Sequence, residues 1–168
     1  GVRAKWMTPS FPTKTFPNHY TIVTGLYPQN HGIVENNVYD FGEVLSMSKR
    51  DEVRNPRWWW GEPIWVTAEK QGQRASSYFW PGSEAKIADT YSTFWRTYNG
   101  RVPNIMRIDE LLGFLDGPAE KRPTMLTTYF STTDDVGHEF GPDSPEIRYA
   151  VLEVDMYIWR LMDGFRAR

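Results

Sequence analysis

The chain contains no cysteine, which excludes disulfides and thiolate metal sites but does not decide the compartment. Basic charge is not in excess either: 19 Lys and Arg against 21 Asp and Glu leave a formal net charge of −2. That balance offers no footprint for gripping a nucleic-acid backbone, so any nucleotide is expected to bind as a small molecule. No apolar run reaches the roughly 18 residues of a membrane span, and the N-terminus lacks a charged-then-apolar pattern, so no spanning or targeting segment is expected. Internal repeats and low-complexity tracts are absent as well.

What remains is a chain of 168 residues, 40% hydrophobic and 15% aromatic. It is long enough for one substantial core and too short for two ordinary domains. The chain starts at Gly1 without a methionine and stops at Arg168 without a terminal motif. It is therefore expected to be an excerpt of a longer protein.

Helix and strand signals alternate along it. Asn18 to Thr24 reads as a short helix closed by Gly25, with Thr15 and Pro17 as start signals. A loop region follows through Asn36 and Asp40 to the polar run Ser46 to Asn55, which lacks an apolar period and is expected on the surface. Glu62 and Pro63 open a second helix through Trp65, Ala68 and Glu69, ended by Gly72. Arg74 to Trp80 reads as a strand. Ile105, Ile108, Leu111, Leu112 and Leu115 share a helical face, and Gly117-Pro118 ends that helix. Thr124 to Phe130 is apolar, β-branched and aromatic, as expected of a buried strand. Ser144 can cap a last helix with Pro145 in its first turn, its apolar face formed by Ile147, Val151, Val154, Ile158 and Leu161. This alternation predicts an α/β fold with a mostly parallel sheet and helices on both faces.

Two segments carry chemistry. In Pro12-Thr13-Lys14-Thr15-Phe16-Pro17-Asn18-His19-Tyr20 a hydroxyl stands just ahead of a proline that can open a helix. Backbone N–H groups and the positive end of the helix dipole then point at whatever the hydroxyl attacks, which suits phosphate. More than a hundred residues on, Asp134-Asp135-Val136-Gly137-His138 sets a carboxylate and an imidazole four residues apart, both ordinary zinc ligands. Open α/β sheets place ligands beyond the C-terminal ends of their strands, where the strand ending at Phe130 delivers this second segment.

Together with Thr21-Ile22-Val23-Thr24-Gly25-Leu26-Tyr27-Pro28 and Asn30-His31-Gly32-Ile33-Val34-Glu35-Asn36-Asn37, these segments closely resemble the nucleotide pyrophosphatase/phosphodiesterase family of the alkaline phosphatase superfamily. The resemblance covers nearly the whole chain. It implies an alkaline phosphatase-like domain truncated at both ends, with residues 1–168 part of one catalytic domain and an insertion at about 81–100. It also implies a threonine nucleophile at Thr15, Asn36 as donor to a phosphate oxygen (Asn37 if the register slips by one), and two zinc ions in the complete enzyme. Asp134 and His138 would ligate one ion and Thr15 would touch the other. Further family ligands, an Asp upstream, an Asp-His pair and a third His, do not occur in the chain, so the excerpt alone is expected to bind zinc weakly, fold poorly and be inactive.

Substrate preference follows from the same resemblance. Nucleotide-hydrolysing members sandwich the base between aromatics matching Phe16 and Tyr98, with Trp80 opening the insertion beside them. A lysine frequent before the Gly-Glu-Pro of the helix start is replaced here by Trp60, so that base contact is lost or exchanged for stacking. The expected substrate is a nucleotide diester or pyrophosphate, and secretion or periplasmic export is implied by the family alone. Two other readings stay open: a phosphodiesterase for lipid head groups or sugar phosphates, and a non-catalytic aromatic-rich binding module. His19 and His31 are assigned structural roles, the run Trp58-Trp59-Trp60 a packing role, and Gly164 the C-terminal cap of the last helix, with Asp163 no metal ligand.

Overall fold

A computed structural model describes residues 2–46 and 48–168. Gly1 and Met47, the latter within the polar run expected on the surface, lie outside the described residues. Helix α1 (Thr15–Thr24) begins right after the extended Lys14 and ends at Gly25, whose φ of 69° lets its N–H bond back to the Thr21 carbonyl. Only glycine reaches that left-handed cap without strain. The helix buries Phe16, Tyr20 and Val23. A single turn, α2 (Pro28–His31), follows.

The region read as loop instead forms regular elements, while its polar run does lie largely at the surface. Residues Asn37–Asp40 (β1) and Glu43–Ser46 (β2) form an antiparallel hairpin in which Val38 faces Leu45 and Asp40 faces Glu43. Its two-residue turn puts Phe41 and Gly42 at φ 44° and 84°, the handedness that matches strand twist. Helix α3 (Arg50–Arg54) then buries Val53. Leu45 and Val53 anchor this segment in the core, and ion pairs to partners distant in sequence join it: Arg57 reaches Asp40 and Glu43, and Arg50 and Arg54 reach Glu84.

Helix α4 (Ile64–Lys70) and strands β3 (Ala75–Tyr78), β4 (Phe94–Arg96), β5 (Met125–Thr128) follow, with α5 (Asn104–Gly113) between the last two. The sheet order is β4-β3-β5 and both pairings are parallel, as the alternation predicts. Ala75 and Met125 join the core built by α1, α4, Trp58 and Trp59 on one face. Tyr78 and Leu126 join Leu111 of α5 on the other. Strand β5 is half-buried along its length, not fully buried, because it lies at the sheet edge.

The segment after β5, expected as a loop, is helix α6 (Thr132–Phe140). It packs on α7 (Pro145–Arg166), which Ser144 caps by accepting from the Ile147 N–H. The buried face of α7 is rotated from the expected one. Ala150 and Tyr157 are buried, whereas Val151 and Ile158 are about half exposed. Small residues decide this: Gly164 is inside the helix, not its cap, and a Cβ there would sit 2.4 Å from a methyl of Leu112.

Candidate functional site

Thr15 occupies the first turn of α1, and its carbonyl accepts from Nδ1–H of His19 at 2.7 Å. That bond fixes the proton of His19 on Nδ1. Burial depresses the His19 pKa, with the Thr15 carbonyl and the charge of Asp134 acting the other way. The ring sits edge-on between Trp80 and Tyr129, centroids 5.1 and 5.3 Å away, and the His19 carbonyl accepts from Trp80 Nε1 at 3.0 Å. His19 thus ties the start of α1 to the segments that leave β3 and β5. His31 is fully buried and bonded to Thr21 Oγ1 and the Ile33 N–H.

Asn36, at the entry to β1, accepts from the Phe16 N–H through Oδ1 at 2.8 Å. This satisfies a donor that the helix start leaves free and makes Nδ2 the donating end of the amide. Asn37 is exposed and lines no hollow at the site. Of the two, Asn36 is the one that lines a hollow at Thr15.

Two hollows adjoin at Thr15. One, of about 260 Å³, is lined by Phe16, Trp80 and Tyr98 together with Phe79, Tyr129 and Glu84. The other, of about 590 Å³, is lined by Asn36, Asn18, His19, Lys14 and His138. Thr15, Tyr129 and Asp134 line both. Thr15, Phe16, Trp80, Tyr98, Asn36, Asp134 and His138 are therefore brought together, the three aromatic ones in the first hollow and Asn36 and His138 in the second. Trp60, by contrast, is exposed and lines neither.

Asp134 and His138 lie one turn apart on α6, His138 Nε2 standing 3.6 Å from Asp134 Oδ1. A carboxylate and an imidazole at that spacing fit two positions of a tetrahedral zinc site. Among the described residues no cluster of three or more metal-ligating side chains occurs, so this pair fits part of a site.

The aromatic hollow holds residues that sequence reading missed. Phe79 has φ 64°, a strained geometry for an aromatic residue that turns the chain sharply after β3. Its ring meets Tyr98 edge-on at 5.3 Å. Glu84 is buried, pairs with Arg50 and Arg54, and accepts from the Tyr98 N–H at 2.9 Å. The Arg50 guanidinium lies 5.6 Å from the centre of the Tyr98 ring. Burial and the nearby Asp134 charge push the Tyr129 hydroxyl up to about 12, so it stays a neutral donor. Nothing in the local sequence marks Phe79, and for Glu84 the signal is a charge in the Pro81-Gly82-Ser83-Glu84 turn.

A profile of the family described as Type I phosphodiesterase / nucleotide pyrophosphatase matches residues 1–168. Venom phosphodiesterase 2 of Crotalus adamanteus is 48% identical over 169 residues, covering 100% of this chain and 21% of that protein. Ectonucleotide pyrophosphatase/phosphodiesterase family member 3 of Mus musculus is 45% identical over 170 residues, covering 100% and 19%. The chain spans about a fifth of the length of these curated relatives. Among solved structures, murine ectonucleotide pyrophosphatase/phosphodiesterase 5 superimposes on 95% of this chain and 43% of its own, with a TM-score of 0.86 and 32% identity. An inactive threonine-to-alanine variant of that protein, in complex with AMP, matches equally well.

Proposed function

The chain belongs to the Type I phosphodiesterase / nucleotide pyrophosphatase family and has its alkaline phosphatase-like α/β fold, and on that premise we propose that the whole protein hydrolyses phosphodiester or pyrophosphate bonds of nucleotides through Thr15. The single observation that carries this reading is the placement of Thr15 where an aromatic and a polar hollow meet. A nucleotide has the same division, a flat base beside a charged phosphate. Residues 1–168 form part of one catalytic domain, in which 81–100 is an insertion supplying a wall of the aromatic hollow.

The base enters the hollow of Phe16, Trp80 and Tyr98, where stacking contributes ~1–3 kcal/mol and tolerates any base. The phosphate then lies over the start of α1, at the positive end of the dipole. Asn36 Nδ2 donates to a phosphate oxygen as charge builds there. The Thr15 oxygen attacks phosphorus, the alcohol or pyrophosphate leaves, and water later displaces the threonine oxygen to release a nucleoside monophosphate. His19 holds the Thr15 backbone in place during both steps. Zinc bound by Asp134 and His138, with a second ion reached by Thr15, would lower the hydroxyl pKa and offset phosphate charge.

The electrostatics support that cofactor. A phosphate beside Asp134 meets like charge, and among the described residues Lys14 is the one permanent cation lining the polar hollow. An added cation relieves this repulsion. The AMP complex of the structural neighbour supports a nucleotide ligand, and the inactivity of its threonine variant supports a threonine nucleophile. The venom and ecto-enzyme relatives support action outside the cell.

In the full-length protein, Thr15→Ala is expected to abolish hydrolysis of a p-nitrophenyl nucleotide diester while its thermal unfolding stays that of the wild type. Thr15→Ser retains a hydroxyl and part of the turnover. Near wild-type rates in the alanine variant would remove Thr15 from the mechanism.

A further inference from the structure

Arg107 is 2% exposed and, among the described residues, has no carboxylate within ion-pair distance. A buried guanidinium without a counter-charge is costly, so its surroundings must compensate. Carbonyl oxygens do so here. Nε donates to Val102 O at 2.9 Å, Nη1 to Tyr129 O at 2.8 Å and Nη2 to Gly100 O at 3.5 Å. The guanidinium also lies 5.1 Å from the centre of the Phe79 ring, a cation–π contact strengthened by burial.

These partners converge on the aromatic hollow. Gly100 and Val102 belong to the irregular segment that carries Tyr98, Tyr129 follows β5, and Phe79 follows β3. Phe79, Tyr98 and Tyr129 all line that hollow. Beside the Glu84 bond to the Tyr98 N–H, the rigid fork of Arg107 joins the segment after Tyr98 to the Tyr129 backbone, a task a lysine's single point of charge performs poorly. Yet Arg107 itself lines neither hollow at the site.

We propose that Arg107 is a positioning residue for nucleoside recognition: it holds the Tyr98 segment in place against Tyr129, the ring centroids 6.4 Å apart, and so governs affinity for the nucleoside part of the substrate, not the step at phosphorus. This rests on the reading of the aromatic hollow as the base site. The role is distinct from that of the first turn of α1, which Arg107 does not touch.

The test uses the full-length protein and two esters, p-nitrophenyl thymidine 5′-phosphate and bis(p-nitrophenyl) phosphate, which has no nucleoside. Arg107→Met is expected to raise KM for the nucleotide ester on the order of tenfold, the effect of losing about one stacked base. Its kcat stays near wild type, and kcat/KM for bis(p-nitrophenyl) phosphate is unchanged. AMP affinity by calorimetry falls in parallel with the KM change. Arg107→Lys, which keeps the cation and one direction of donation, is expected to fall between. Equal losses on both esters, or no loss on either, would overturn the proposal, as would failure of both variants to fold, since Arg107 would then be a folding residue only. A wild type with no preference for the nucleotide ester sinks the nucleotide reading itself, before any variant is compared.

Discussion

His31 and His19 belong to the same local structure but hold their protons on opposite nitrogens. The Ile33 N–H donates to Nδ1 of His31, so the neutral ring carries its proton on Nε2 and donates to Thr21. Protonation would set N–H against N–H inside the core. Burial accordingly lowers the His31 pKa below 6.5. The unfolded chain therefore binds the proton more readily, and stability rises with pH through this window. The contribution is fully present above the unfolded value near 6.5 and is lost as pH falls toward the folded one. Denaturation midpoints of the full-length protein measured from pH 7.5 down to 5 should decline, and His31→Gln, which cannot titrate, should flatten the decline. An unchanged slope would show that His31 is not a source of acid sensitivity. At this scale the sequence was readable where site residues are neighbours in the chain, as with Thr15 and Phe16 or Asp134 and His138. It was opaque for Arg107, an arginine on the same α5 stripe as Leu111, because nothing in a helix pattern says that three carbonyls from other segments await it.

At the level of elements, start and stop signals such as Pro17, Gly25, Ser144 and Pro145 placed α1 and the beginning of α7 well. They failed where tertiary contacts decide. The hairpin β1–β2 lacks an Asn-Gly turn and instead holds Phe41 at φ 44° with 99% exposure. A left-handed phenylalanine with so little packing to lose gives a direct prediction. Phe41→Asn, a residue that tolerates this conformation, should raise stability by about 0.5–1 kcal/mol, read as a higher denaturant midpoint. A lower midpoint would mean that Phe41 packs on something in the full-length protein. Helix α6 was hidden by Gly137 and by its acidic start, features shared with metal-binding loops, and acidic residues in a first turn are also what a helix dipole favours.

For the whole molecule, the arrangement of three parallel strands explains why distant segments share a site. Parallel strands bring the segments after β3, β4 and β5 to one edge of the sheet, and α1 delivers Thr15 to the same edge. The aromatic hollow draws on residues from 15 to 135, which no local motif could reveal. Family resemblance along nearly the whole chain, densest at 11–40, 57–83 and 126–144, supplied expectations that periodicity could not. In the proposed reaction Thr15, at the junction of the two hollows, becomes covalently attached to the nucleotide. That attachment is tested most directly by mixing full-length protein with p-nitrophenyl thymidine 5′-phosphate, quenching in acid within the first turnover and mapping the adduct by mass spectrometry. A thymidylyl group on the peptide containing Thr15 is the expected result. An adduct on another residue, or unlabelled enzyme at every time sampled before the first turnover is complete, would contradict it.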